Sequence, residues 1–142
     1  HPRVRRQRQM CIRDRDAQAN WQLLAGMPGV QLCTLDPLPE HPFTAAVDAL
    51  YGTGFHGTLR PQGAAACALL EHCRRDGALV FAADLPSGCN ADTGAAAPGA
   101  VRADVTVTFD SCKPVHFSAP DHCGQVICAD IGILDAWHPS AR

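Results

Sequence analysis

The sequence predicts an α/β fold, with a mostly parallel sheet covered on both faces. Two observations carry this. The candidate strands are near-continuous apolar runs, the pattern of strands buried on both sides. A segment of helical period lies between the second run and the third, as in a parallel sheet built from β-α-β units. The 142 residues amount to one domain by length, and an apolar fraction of 46% is enough to bury a core. A net charge of −2 gives no electrostatic case for nucleic acid or an anionic membrane, so neither is expected as a partner. No apolar run approaches the ~20 residues of a membrane span.

Residues 1–15 differ in character from the rest of the chain. They are Arg-rich and polar, without amphipathic period, and are set apart from the fold. A disordered basic arm, an RNA-binding tail and sequence foreign to the domain are the open readings. The domain is expected over residues 16–137, with 138–142 as a tail. Asp16 to Ala25 has Ala17, Trp21 and Leu24 on one helical face. Gly26 and Pro28-Gly29 stop that helix. Val30 to Leu35 alternates as a short strand. Asp36 to Pro42 is a proline-rich loop. Ala45 to Tyr51 is a second strand, apolar at its start and carrying Asp48. Gly52 to Pro61 is a glycine-rich loop, and Gln62 to Arg75 has helical period through Ala65, Leu69, Leu70 and Cys73.

Ala78 to Ala83 is a third strand. Cys89 to Ala100 is a Gly/Ala/Asp/Pro loop, long enough to be functional or mobile. Ala103 to Phe109 is a β-branched strand. Asp110 to Asp121 reads as irregular, and Gln125 to Gly132 as a last strand. The eight cysteines form no C-x-x-C pair, and several sit in apolar runs. They read as small buried hydrophobes in a reducing, cytoplasmic setting rather than as zinc ligands.

The chemistry converges on Ala83-Asp84-Leu85-Pro86-Ser87-Gly88. An apolar strand stops there at a carboxylate, and a turn comes at once. Ligands of open α/β sheets bind at the carboxyl ends of strands. Gly52-Thr53-Gly54-Phe55-His56-Gly57 fits G-x-G-x-x-G directly after a strand, where backbone amides can approach phosphate oxygens. The loop then runs on through Thr58, Leu59 and Arg60, which departs from a dehydrogenase fingerprint. Asp48 is a carboxylate inside an apolar strand, costly unless paired or ligated. A monovalent cation held by Asp48, loop carbonyls and Ser87 would satisfy it, as would backbone amides. Ser87 lacks the G-x-S-x-G setting of a hydrolase nucleophile. Lys113 comes just after a strand, where it can meet a phosphate, orient Asp84 or stand as a solvated loop lysine.

Four stretches in this order resemble the YjeF N-terminal domain family of NAD(P)H-hydrate epimerases. They are Val47-Asp48-Ala49-Leu50-Tyr51-Gly52-Thr53-Gly54, Ala83-Asp84-Leu85-Pro86-Ser87-Gly88-Cys89-Asn90-Ala91-Asp92-Thr93-Gly94, Val101 to Phe109 with Lys113-Pro114, and Ala129-Asp130-Ile131-Gly132-Ile133. The resemblance implies a Rossmann-like three-layer αβα sandwich. It implies an isomerase interconverting the R and S epimers of hydrated NADH and NADPH (NADHX and NADPHX). Carried over by position, Asp84 is the substrate-binding and catalytic carboxylate. Gly52, Thr53, Gly54, Phe55, His56, Gly57 and Thr58 form the backbone cradle for substrate. Asp48 and Ser87 are the ligands of K+.

The family's Asn-Asn-Gly-Gly-Asp phosphate loop has no counterpart before Asp16. The chain therefore reads as the C-terminal part of such a domain, and a homodimer is left open. A fragment of an NAD-dependent dehydrogenase and a non-catalytic nucleotide-binding or interaction module on the same fold are the alternatives. The first lacks an acid at the expected offset of ~20 residues. The second would bind nucleotide without turnover.

Overall fold

The computed structural model describes residues 18–33, 35 and 43–133. The expectations for residues 1–15 and 138–142 lie outside them. The chain divides into two compact units, His1–Pro39 and Glu40–Arg142.

In the first unit, residues 18–25 form a helix, α1, and its carboxyl end turns through Gly26 N–H donating to the Leu23 carbonyl at 3.2 Å. Trp21 and Leu24 are exposed. The strand expected over Val30 to Leu35 is not formed at residues 30–33. Alternation is a local pattern, and a strand exists only where a partner completes its hydrogen bonds.

The second unit holds a four-stranded, wholly parallel sheet of β1 (Ala45–Asp48), β2 (Leu79–Ala83), β3 (Val105–Phe109) and β4 (Gln125–Ala129), in the order β1-β2-β3-β4. Val47 pairs with Phe81, Phe81 with Val105, and Val105 with Gln125. The carboxyl ends of all four strands therefore share one edge. This is the parallel α/β sheet that the apolar runs and the intervening helix imply, and it is consistent with the Rossmann-like fold that the family resemblance implies. Helix α2 (Pro61–Arg75) connects β1 to β2 and packs on both. Proline at its first turn fits a position whose N–H has no intrahelical acceptor.

One face of the sheet carries the core. Val80 and Ala82 meet Cys67 and Leu70 of α2 together with Val101 and Ala103. A second cluster joins Leu85, Cys89 and Ala91 to Val115, Ala119 and Cys123. Those last residues belong to two helical turns, α3 (Val115–Ser118) and α4 (Pro120–Cys123), and the junction between them, within the stretch expected to be irregular. Thr106, fully buried on the same face, donates to the Cys123 carbonyl at 2.6 Å. The opposite face exposes Val47, Leu79 and Ile127. The covering expected there does not appear among the described elements of this unit.

The β2–β3 crossover contains no helix. It is ordered by its own hydrogen bonds: Asn90 Oδ1 accepts from the Thr93 N–H at 2.9 Å, and Val101 N–H donates to the Ser87 carbonyl at 2.9 Å. Gly88 adopts φ +91°, and a Cβ there would come within 2.8 Å of Ala100. That glycine answers both a left-handed backbone and a close approach.

Candidate active site

Asp84 directly follows β2 at the shared carboxyl edge. Its N–H donates to the Val107 carbonyl at 2.8 Å, which carries the β2–β3 ladder one residue past the strand. Its side chain lies between β3 and the turn after it. Thr108 Oγ1 donates to Asp84 Oδ1 at 3.0 Å, and Phe109 N–H at 3.2 Å. Lys113 Nζ completes an ion pair on the same oxygen. Among the described residues every donor to this carboxylate reaches Oδ1, and none reaches Oδ2. Burial pushes the Asp84 carboxyl up, but Lys113, the Phe109 amide and Thr108 outweigh it and hold it below the ordinary carboxylate value.

Lys113 also donates to Thr108 Oγ1 at 2.8 Å and to the Phe109 carbonyl at 2.9 Å. Its three N–H donors are thereby spent. Lys113 is thus paired with Asp84 rather than left as a solvated loop lysine.

Asp48 ends β1 and is fully buried together with Ser87. Ser87 N–H donates to Asp48 Oδ2 at 2.7 Å, and Ser87 Oγ donates to Oδ1 at 2.5 Å. Leu50 N–H approaches Oδ1 at 3.3 Å, and Tyr51 N–H donates to Ser87 Oγ at 3.0 Å. Asp48 and Ser87, 39 apart in sequence, are thus brought into direct contact. Among the described residues no basic side chain pairs with Asp48.

The loop Gly52–Thr58 borders a cavity of about 470 Å³, with Gly52, Gly54, Phe55, His56 and Thr58 in its wall beside Tyr51 and Arg60. Thr53, Gly57 and Asp84 are not part of that wall. Phe55 is buried, with its ring 5.4 Å from that of Tyr51, so it anchors the loop and leaves its backbone for contacts. Asn90 Nδ2 reaches the Phe55 carbonyl at 3.3 Å and His56 Nδ1 at 2.8 Å. The glycine loop is thus tied to the turn after Asp84 through Asn90 and through the Tyr51–Ser87–Asp48 chain.

Three contributors have no role that the sequence alone assigns: Thr108, Asn90 and His116, whose Nε2 lies 2.8 Å from the Asp84 carbonyl oxygen. Thr108 had a signal, since a polar residue on the inward side of a β-branched strand needs a partner. Asn90 had the Asx-turn signal of Asn-x-x-Thr. His116 had none.

Buried Cys67, Cys73, Cys89 and Cys123 fit the expectation of small hydrophobes, whereas Cys33, Cys112 and Cys128 are exposed. Burial pushes the thiols of Cys67 and Cys123 to about 11 and that of Cys89 to about 12, which keeps them unreactive. Among the described residues no group of three or more His, Cys, Asp or Glu could hold a metal ion, and no helix is long and apolar enough to cross a membrane.

A parallel α/β sheet with a lysine-paired carboxylate at its carboxyl edge has the arrangement in which proteins of the α/β class bind small molecules. Similarity to known proteins narrows this. The model of the YjeF-related protein N-terminus matches residues 3–115, and the chain belongs to that family. The chain is 36% identical over 129 residues to the bifunctional NAD(P)H-hydrate repair enzyme Nnr of Hyperthermus butylicus, covering 85% of this chain and 23% of that protein. It is 32% identical over 127 residues to the NAD(P)H-hydrate epimerase of Nitrosopumilus maritimus, covering 86% of this chain and 56% of that one. With the Nnr of Mycobacterium tuberculosis (H37Rv) it shares 41% over 92 residues, 65% of this chain and 18% of that protein. The chain spans about a quarter or less of these bifunctional relatives and about half of the epimerase.

Proposed function

We propose that this chain carries the epimerase site of its relatives and interconverts the R and S epimers of NADHX and NADPHX. The observation that supports this best is the asymmetry at Asp84: three donors fix Oδ1, while Oδ2 is left to meet a ligand. Epimerising a ring carbon that bears a hydroxyl requires the group to leave and return on the other face. A carboxylate held below its ordinary value is ionised at neutral pH, ready to take a proton from the returning water. A ring covering Oδ2 removes its water and raises the carboxyl. Having taken a proton from solvent, the carboxylic acid can hand it to the departing hydroxyl, which leaves as water, and the carboxylate takes a proton back from the water that adds on the other face. Lys113 has no donor to spare, so its part is to hold the Asp84 side chain in place.

The cradle for the substrate is the backbone of Gly52 to Thr58, with Arg60 offering a cation beside the cavity. Asp48 and Ser87 suit a monovalent cation, K+ in this reading. The carboxylate is buried, lacks a basic partner among the described residues, and keeps an acceptor position on Oδ2 beyond the Ser87 amide. A cation there would neutralise Asp48 and brace the turn from Leu50 to Ser87. The free thiols among the described residues suit a reducing cytoplasm.

The test is chromatographic resolution of the epimers after incubating pure R-NADHX with the chain in K+. The S epimer should form faster than it does spontaneously, and Asp84→Asn should abolish the gain. Full activity of Asp84→Asn would remove the carboxylate from the mechanism. For the cation, replacing choline with K+ should raise the thermal midpoint in a saturable way, and Asp48→Asn should lose that response.

A further inference from the structure

Asp84 has φ +71°, in the left-handed region that residues with a side chain rarely enter. Leu85 N–H donates to the Ala83 carbonyl at 3.0 Å across it. The two facts define a γ-turn centred on Asp84, of the positive-φ kind that is rare and strained. Strain of this sort persists only when the surroundings over-determine it. The Val107 carbonyl holds the Asp84 N–H, and the Asp84 carbonyl needs a partner as well.

That partner is His116. Its side chain is buried, with the residue 5% exposed. Nδ1 accepts the Lys113 backbone N–H at 2.9 Å, and Nε2 lies 2.8 Å from the Asp84 carbonyl oxygen. An amide can only donate and a carbonyl can only accept, so both bonds form in one tautomer alone: neutral imidazole with its proton on Nε2. His116 sits on α3, whose neighbouring Val115 is fully buried and whose Val115 N–H donates to the Ala91 carbonyl at 3.0 Å. The ring therefore has a fixed base.

We infer that His116 is a positioning residue for the Asp84–Lys113 pair, locking the γ-turn that aims the Asp84 carboxylate. A single imidazole joins the main chains of both members, and their side chains close the circuit at Oδ1. Neither end of the pair can shift without breaking a bond to His116. This inference rests on the catalytic reading of Asp84 for its consequence on rate, though not for its geometry.

The test uses the full chain. Long-range ¹H–¹⁵N spectra should show His116 neutral, protonated on Nε2. His116→Asn keeps an acceptor near Nδ1 but cannot reach the Asp84 carbonyl. His116→Gln restores a donor at that distance. The Asn variant should lower kcat on the order of tenfold or more with little change in KM, since misplacement of a reacting group falls on the chemical step. The Asp84 carboxyl, followed by ¹³C, should titrate higher in that variant, and Gln should recover much of both effects. Unchanged kcat and unchanged Asp84 titration in His116→Asn would overturn the inference, as would a proton on Nδ1 in the wild type. If the Asp84 titration moves while Asp84→Asn keeps its full rate, the positioning stands and the catalytic reading falls. Should the Asn variant not fold, the tautomer and the Gln variant still decide the matter.

Discussion

A largely buried carboxylate such as Asp84 stays ionised only if the bonds it accepts outweigh the water it has lost. Lys113 is the charged member of that set, and its removal has a signed consequence. The folded Asp84 lies below its ordinary value of 3.8. Its stabilising contribution is therefore complete above that value and is lost as the pH falls through the lower, folded one. Lys113→Met should cost about 1.5–3 kcal/mol at pH 7, the range for a hydrogen bond to a charged group. Urea unfolding of both proteins from pH 7 to pH 2 should show the gap narrowing below pH 4. The pairing itself was half legible. Asp84 announced itself as a carboxylate ending an apolar strand, but Lys113 is 29 residues away. Sequence left it open between a phosphate, Asp84 and solvent, and only the turn after β3 brings it onto the Asp84 carboxylate. Asp48 shows the same limit. Sequence joined it to Ser87 only as a candidate co-ligand of a cation, with backbone amides as the other reading; the bonds from the Ser87 N–H and hydroxyl depend on where two strand ends fall.

At the scale of elements, the strands were the most legible part. β3 is a β-branched run and β2 an apolar one, and each appears within the stretch that composition marks. The helical turns α3 and α4 escaped because four residues are too few to display a period of 3.6. The crossover from Asp84 to Asp104 escaped for a different reason. Its order comes from backbone bonds between distant points, such as Val101 N–H to the Ser87 carbonyl, which no local pattern encodes. The junction from α4 into β4 offers a clean test of such non-local fit. Gly124 has φ +60°, and a Cβ there would stand 2.3 Å from the Asp104 carbonyl oxygen and 2.5 Å from that of Ala103. Both contacts are backbone, so no side chain can rotate away. Gly124→Ala should force β4 away from the start of β3 and cost about 2–3 kcal/mol by overpacking, with backbone strain adding to it. Chemical denaturation measures the loss. Hydrogen exchange should place the loosening at Gln125, whose N–H donates to the Asp104 carbonyl at 2.9 Å.

On the scale of the whole molecule, the two faces of the sheet behave differently. Ala46, Val80 and Ala82 pack with α2 and the crossover, and Thr106 bonds to the Cys123 carbonyl of α4, whereas alternate positions expose apolar side chains. Val47 is 67% exposed, Leu79 54% and Ile127 46%. The register puts them on one side, since Val47 pairs with Phe81, two residues after Leu79, and Val107 pairs with Ile127. The apolar character of both sides was readable from the near-continuous runs, and it led to the expectation of cover on both. What covers a face is not written in the strand itself, only that water is unfavourable there. Exposed apolar side chains on β1, β2 and β4 of one face should bind a hydrophobic dye and promote association of the chain with itself. Sedimentation velocity should show a concentration-dependent rise in mass, and ANS fluorescence should be enhanced in the native state. Val47→Lys with Leu79→Lys should reduce both. Because these side chains already face solvent, each substitution should change the unfolding free energy by no more than about 0.5 kcal/mol. A large loss of stability in the double variant would instead mean that the two side chains are packed in solution, and the face would then count as core.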